Sequence, residues 1–199
     1  MSGVAAVSVV PLVGWGWNNH MWMEGQPQRS DESAVSWASR VTPGYFAMMG
    51  MTLLSGRDFD ESRDTNSAPM VAVVNETFAR KFAGTPNAIG KRFWVEATPT
   101  DKERLLEIVG IVADTNYRDV RETEHLPIVF FPQMQNPKPG KFTNLLVRSS
   151  LPAEAIMPSL RKTLGDLNPN IVTNWTLLET MMRNGTLQER LLAELSTFF

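Results

Sequence analysis

The stretch VTPGYFAMMGMTLLSGRDFD (residues 41–60), followed by VAVVNETFARKF (71–82), IGKRF (89–93) and EIVGIVAD (107–114), decides how this chain is organised. In the first segment Thr42 reads as an N-cap and Pro43 as the first helical residue, since Pro lacks an N–H that the first turn leaves unbonded anyway. Tyr45, Phe46, Met48 and Met49 give the short helix an apolar side, and Gly50 stops it. Leu53-Leu54-Ser55-Gly56-Arg57 leads out into an acidic turn over 58–64. Residues 70–74 form a near-continuous apolar run, which predicts a strand covered on both faces. Asn75 is expected to cap the helix 76–82 by accepting from the amide of Thr77 or Phe78.

Outward from this centre, residues 4–10 read as a strand ended by Pro11 and Gly14. GWGWNNHMWMEGQPQRSDES (14–33) reads as a long loop. Residues 34–41 alternate through Val35, Trp37, Ser39 and Val41 and predict a strand. Further strands are expected at 89–95, 105–112, 127–131 and 142–147, with a loop at 136–141. Residues 151–167 predict a helix with Ile156, Leu160 and Leu164 on one face, kinked or delayed in its start by Pro158. A strand at 171–175, a short helix at 177–182 and a last helix at 186–199 complete the reading. Strands and helices interleave without a repeat, which points to an α+β fold rather than a doubly wound sheet.

The 199 residues suffice for one domain or two small ones. A net charge of −2 gives no basic field for general nucleic-acid binding. With no cysteine there are no disulfides, thiolate metal sites or cysteine nucleophiles. No apolar run reaches the ~18–20 residues that cross a bilayer, and the first residues lack the basic region of a signal peptide.

No motif carries clear catalytic chemistry. GTPNAIGKRF (84–93) resembles a phosphate loop, but Arg92 stands where a magnesium-binding Ser or Thr belongs and a strand pattern comes next, so it reads as a turn into a strand. DFDESRD (58–64) places carboxylates at alternate positions as a calcium loop does, but Arg63 and Pro69 occupy the positions of the required Gly and Glu; it reads as a solvated acidic turn. The histidines His20 and His125 have no metal-ligand spacing. Trp15, Trp17 and Trp22, with Met21 and Met23, could be a partner contact or local packing. Gly56-Arg57 and Gly90-Lys91-Arg92 read as structural turns rather than ligand sites.

Taken in order and spacing, TPGYF…MG…LLSGRDF, VVNETFARKF, IGKRF, EIVGIVAD and the closing QERLLAEL resemble the MacB-like periplasmic core domain of MacB/FtsX-type ABC transporter permeases, nearest the permeases whose ATPase is a separate chain. The resemblance covers most of the chain. It marks Pro43, Gly44, Tyr45, Phe46, Gly56, Arg57, Asn75, Glu76, Gly90, Lys91 and Arg92 as structural motif residues. It implies a porter-like β-α-β subdomain built from residues 1–56 and 142–185. A strand-rich, Sabre-like subdomain (57–141) is inserted between them, and 186–199 is a stalk leading toward a transmembrane helix.

The function implied is non-catalytic. The domain, on the periplasmic face of the inner membrane, transmits ATP-driven movement to efflux, lipoprotein handling or envelope signalling. It holds no cofactor, ATP being used by a separate cytoplasmic subunit. Implied partners are the permease's own transmembrane helices, the ATPase subunit, a second permease copy and a periplasmic adaptor. A free-standing periplasmic ligand- or peptide-binding module is the alternative, and an enzyme with a spatially assembled site the third reading.

Overall fold

The computed structural model describes residues 2–12, 16–99, 101–118, 122–136, 140, 142–181 and 183. Its central strand is VAVVN, buried at every position, as the apolar run predicts. The described strands, in chain order, are β1 (Gly3–Val7), β2 (Trp17–Met23), β3 (Val35–Val41), β4 (Leu53–Gly56), β5 (Val71–Asn75), β6 (Arg92–Val95), β7 (Arg104–Val112), β8 (Ile128–Pro132) and β9 (Asn144–Arg148). The helices are α1 (Tyr45–Met49), α2 (Glu76–Ala83) and α3 (Ala153–Leu167), so the fold is α+β.

The strands run in the order β2-β6-β7-β5-β8-β3-β1-β9, with β4 on β7. β2 pairs with β3 through residues 17–20 and with β6 through residues 21–23. The path from β2 through β6, β7, β5 and β8 to β3 therefore returns to β2 and closes into a ring, which removes the sheet edges along that path. Strands on both sides of the expected boundaries at 56/57 and 141/142 share this one sheet: β3 pairs in parallel with β8, and β2 pairs antiparallel with β6.

Alternation along the strands sorts the core into two clusters. Met21, Ala38, Ala72, Val74, Phe93, Val95, Leu106, Ile108, Val129 and Phe131 pack together with Phe78 and Ala79 of α2. Val41, Val71, Val73, Val112, Ile128 and Phe130 face the other way and pack with Tyr45, Phe46 and Met48 of α1. The register of β5 on β7 slips by one residue between Ala72 and Val73. That bulge moves the first cluster's file in β7 from Leu106 and Ile108 to Ile111.

Four expectations need correction. Residues 14–33 are not a long loop: 17–23 form β2, with Met21, Trp22 and Met23 buried. Asn18, Asn19 and His20 break the apolar pattern, but Asn19 is buried beside Glu96, which its side chain reaches at 3.5 Å. Residues 53–56 are strand β4 rather than a lead-out. Thr42 does not cap α1 and Pro43 does not begin it. The Thr42 hydroxyl accepts from the Ala6 amide, and its carbonyl accepts from Tyr45. With Gly44 at φ 81° and ψ −5°, TPGY is a type II turn, Pro at its second position and Gly at its third. The strand expected at 171–175 is not formed: among the described residues this segment pairs with no strand, and Val172 is 92% exposed. The expected β-α-β return thus ends at α3, which runs unbroken through Pro158 and buries no residue. Residues 178–181 are helical as expected. The expected helix at 186–199 lies outside the described residues, as does most of the 136–141 loop.

Candidate functional site

The sequence motifs come together as joints between strands. At the end of β5 the Asn75 Oδ1 accepts from the Phe78 amide at 3.0 Å, capping α2, and from the Ile128 amide of β8 at 2.8 Å. Its Nδ2 donates to the Leu126 carbonyl at 2.8 Å and to Asp114 at 2.7 Å. Asp114, just past β7, also accepts from the Thr77 amide (2.9 Å), the Thr77 hydroxyl (2.8 Å) and Arg80 (2.6 Å). Glu76 holds Arg80 from one turn away at 3.2 Å. VVNET and IVAD are therefore two halves of one polar latch joining β5, α2, β7 and β8. Asp114 was not singled out from the sequence, because its partners lie more than thirty positions away.

A second joint sits where β4 crosses β7. Gly56 (φ 76°) lies opposite Gly110. A Cβ on Gly56 would stand 2.2 Å from the Val109 carbonyl oxygen, and one on Gly110 2.3 Å from that of Arg57. Beyond it Arg57 grips Asp64 through two bonds of 2.8 Å and donates to the Asp58 carbonyl. Asp60 accepts from the amides of Ser62 and Arg63, and Asp58 from those of Gly44 and Phe59. The acidic turn is thus a self-bonded loop tied to the TPGY turn, with its carboxylates turned to N–H groups rather than to a shared centre. Burial alone would raise the Asp64 carboxyl. The Arg57 bonds, the Asp60 amide and the neighbouring arginine charges outweigh it and hold Asp64 below its usual value.

The third joint is Gly90-Lys91-Arg92. Gly90 (φ 77°) turns the chain into β6, its amide bonded to the Ile108 carbonyl. Lys91 Nζ donates to the Ala83 carbonyl at the C-terminus of α2, and Arg92 pairs with Glu24 at 2.7 Å. This lysine satisfies the negative end of a helix, the opposite pole from one that cradles phosphate.

Trp17 and Trp22 do not share one patch: they lie on opposite faces of β2. Trp22 is 5% exposed beside Trp94 of β6. Trp17 is half-buried and stacked on Phe131 at 5.7 Å. Trp15 lies outside the described residues. His20 Nδ1 bonds Glu96 at 2.8 Å, and His125 is exposed in a separate loop. Burial raises the Glu96 carboxyl, but bonds from the His20 amide and ring and from Asn19 bring it below its usual value. Among the described residues no three His, Asp or Glu side chains are placed to share a metal ion. No described helix is long and apolar enough to cross a membrane. A surface cleft of about 510 Å³ lies beside the second joint, lined by Gly56, Arg57, Arg63, Asp64, Ile89 and Glu107.

The motif residues thus serve as joints of a closed sheet. Residues 2–173 match the MacB-like periplasmic core domain, and the chain belongs to that family. The periplasmic region of MacB from Actinobacillus actinomycetemcomitans is similar with a TM-score of 0.57 at 16% identity, over 83% of this chain and 66% of that one. A permease domain from Porphyromonas gingivalis is similar with a TM-score of 0.51 at 16% identity, over 83% of this chain and 63% of that one. At such identities the likeness is one of fold, and the chain spans about two thirds of either structure. No curated protein matches the chain.

Proposed function

We propose that this chain is the non-catalytic extracytoplasmic domain of a MacB-like ABC transporter permease, carrying ATP-driven movement from the membrane to partners outside the cytoplasm. The reading rests on family membership over residues 2–173. The single structural observation that supports it is the latch at Asn75 and Asp114. There the motif residues are consumed in fixing β5, α2, β7 and β8 to one another. A body that transmits displacement needs such joints, because packed and hydrogen-bonded elements move as units rather than deform.

In this reading the domain uses no cofactor of its own, and ATP is hydrolysed by a separate cytoplasmic subunit. The partners are the permease's transmembrane helices, a second permease copy and a periplasmic adaptor. Efflux, lipoprotein handling and envelope signalling are the outputs such a domain would serve.

The test is isolation of the tagged gene product carrying this chain from solubilised membranes. Recovery with an ABC ATPase subunit, and loss of ATP-dependent output when Asp114→Ala loosens the latch, is the expected result. Recovery only as a water-soluble extracytoplasmic protein without that subunit would overturn it in favour of a free-standing binding module.

A further inference from the structure

The ring interior is mostly apolar, with Asn19 and Ser36 buried in it, until it reaches one end. There the file Ser36, Ala38 of β3 continues into Arg40, and the file Ile108, Leu106 of β7 ends in Arg104. The period-two alternation of a strand places both arginines on the face that carries the inward cluster. Trp17 heads the same face of β2 and Phe131 ends that of β8, with Phe131 opposite Arg40 in register. The four side chains gather at this mouth. The Arg40 guanidinium lies 5.2 Å from the Trp17 ring, Trp17 stacks on Phe131, and the Arg104 guanidinium lies 5.6 Å from the Phe131 ring.

Neither guanidinium has a hydrogen bond or ion pair among the described residues, and the buried Arg104 Nε has no acceptor. Burial first and the Arg104 charge second lower Arg40 from its ordinary value; burial lowers Arg104. Asp101 acts in the opposite sense on both, as a partial counter-charge. Elsewhere in the fold Arg57, Arg80 and Arg92 each hold a carboxylate. Two half-buried arginines pinned by aromatic faces, with their N–H forks unused, differ from these. Planar forks of this kind match the two oxygens of a carboxylate or phosphate, and aromatic faces hold them in place before the anion arrives.

We propose that the mouth formed by Trp17, Arg40, Phe131 and Arg104 is a binding site for a single oxyanion group, a carboxylate or a phosphate, carried by a ligand of this domain. The anion neutralises two like charges that the fold keeps close together. The site is independent of the permease reading, since it belongs to the isolated fold.

The experiment is a titration of the 15N-labelled chain with inorganic phosphate and, separately, acetate, against sodium chloride at matched ionic strength. The arginine Nε–H signals and the thermal midpoint are followed. The expected result is saturable movement of the Arg40 and Arg104 signals with a Kd of about 1 mM or tighter and a rise in the midpoint. Whichever anion binds more tightly identifies the source. Binding should weaken at least tenfold in R40Q and in R104Q. R40K keeps the charge and should bind phosphate several-fold more weakly, because lysine offers no parallel N–H pair. Absence of saturable movement with both anions, or equal binding by wild type and R40K, would overturn the site.

Discussion

The Asn75 side-chain amide donates to the Asp114 carboxylate at 2.7 Å across 39 positions of sequence. The same Asn75 oxygen caps α2 and holds the first amide of β8. A helix cap alone contributes about 1 kcal/mol. Here the residue also satisfies the Leu126 carbonyl and the Ile128 amide, and it is only 1% exposed.

Asn75→Ala therefore removes more than a cap. Leaving the buried groups without partners adds to the capping loss, for a total of about 3 kcal/mol. Urea denaturation of the wild-type and variant chains measures it. A loss near 1 kcal/mol would show that the bonds to β8 and Asp114 contribute little.

Gly56→Ala and Gly90→Ala separate two kinds of glycine requirement. Both residues have positive φ, at 76° and 77°. Around Gly90 a Cβ meets open space, whereas at Gly56 it meets the Val109 carbonyl oxygen at 2.2 Å. Gly90→Ala should cost about 1 kcal/mol from backbone strain alone. Gly56→Ala must push β4 off β7, so its loss should be at least twice as large. Equal midpoints for the two variants in thermal denaturation would refute this.

Local signals made part of this fold legible. The apolar run before Asn75 announced a buried strand, Asn75 announced the helix start, and Gly50 sits in the left-handed conformation that ends α1. The rest depended on distant partners. β2 was hidden because Asn18, Asn19 and His20 look like loop residues until Glu96, 76 positions from His20, provides bonds for Asn19 and His20. Thr42-Pro43 suited both a helix start and a type II turn, and the Ala6 amide, bonded to Thr42 Oγ1, decided between them. The motif glycines and Asn75 were recognisable as structural residues. Their opposite halves, Gly110 and Asp114, carried no local signal because their roles exist only across strands. Residues 171–175 had a strand-like pattern, but no strand among the described residues pairs with them.

The Arg57–Asp64 pair gives a pH dependence. The Asp64 side chain is 3% exposed and its carboxyl is held below the ordinary value of 3.8. A carboxyl depressed by folding contributes stability that is present above its unfolded value and is lost as pH falls through its folded one. The pair should thus stabilise the chain fully at pH 7 and progressively less below about pH 4. Asp64→Asn should cost about 2 kcal/mol at neutral pH, less than for a fully enclosed pair because Arg57 still reaches water. The gap between wild type and variant should narrow in acid. Urea titrations at neutral and acidic pH that give a constant gap would show that Asp64 titrates normally.

The described residues after β9 add little to the core. Both core clusters are built from residues no later than Phe131, with Leu146 of β9 packed against the one that includes α1. α3 buries none of its side chains, and Leu151, Leu167, Ile171, Val172 and Leu177 are exposed. Among the described residues, what holds the closed ring together lies at or before Arg148, whose guanidinium bonds the Met48 carbonyl at 2.6 Å and ties β9 to α1. A chain ending at Arg148 should unfold cooperatively with a midpoint within about 5 °C of the full chain, a shift of roughly 1 kcal/mol or less. It should also lose the exposed apolar side chains beyond that point and self-associate less. A chain ending instead at Pro132, without β9, should be destabilised, because the full length of β1 would lose its partner. Calorimetry of the three lengths decides between these outcomes. If the Arg148 truncation lacks a cooperative transition, α3 and the residues beyond it belong to the folding core.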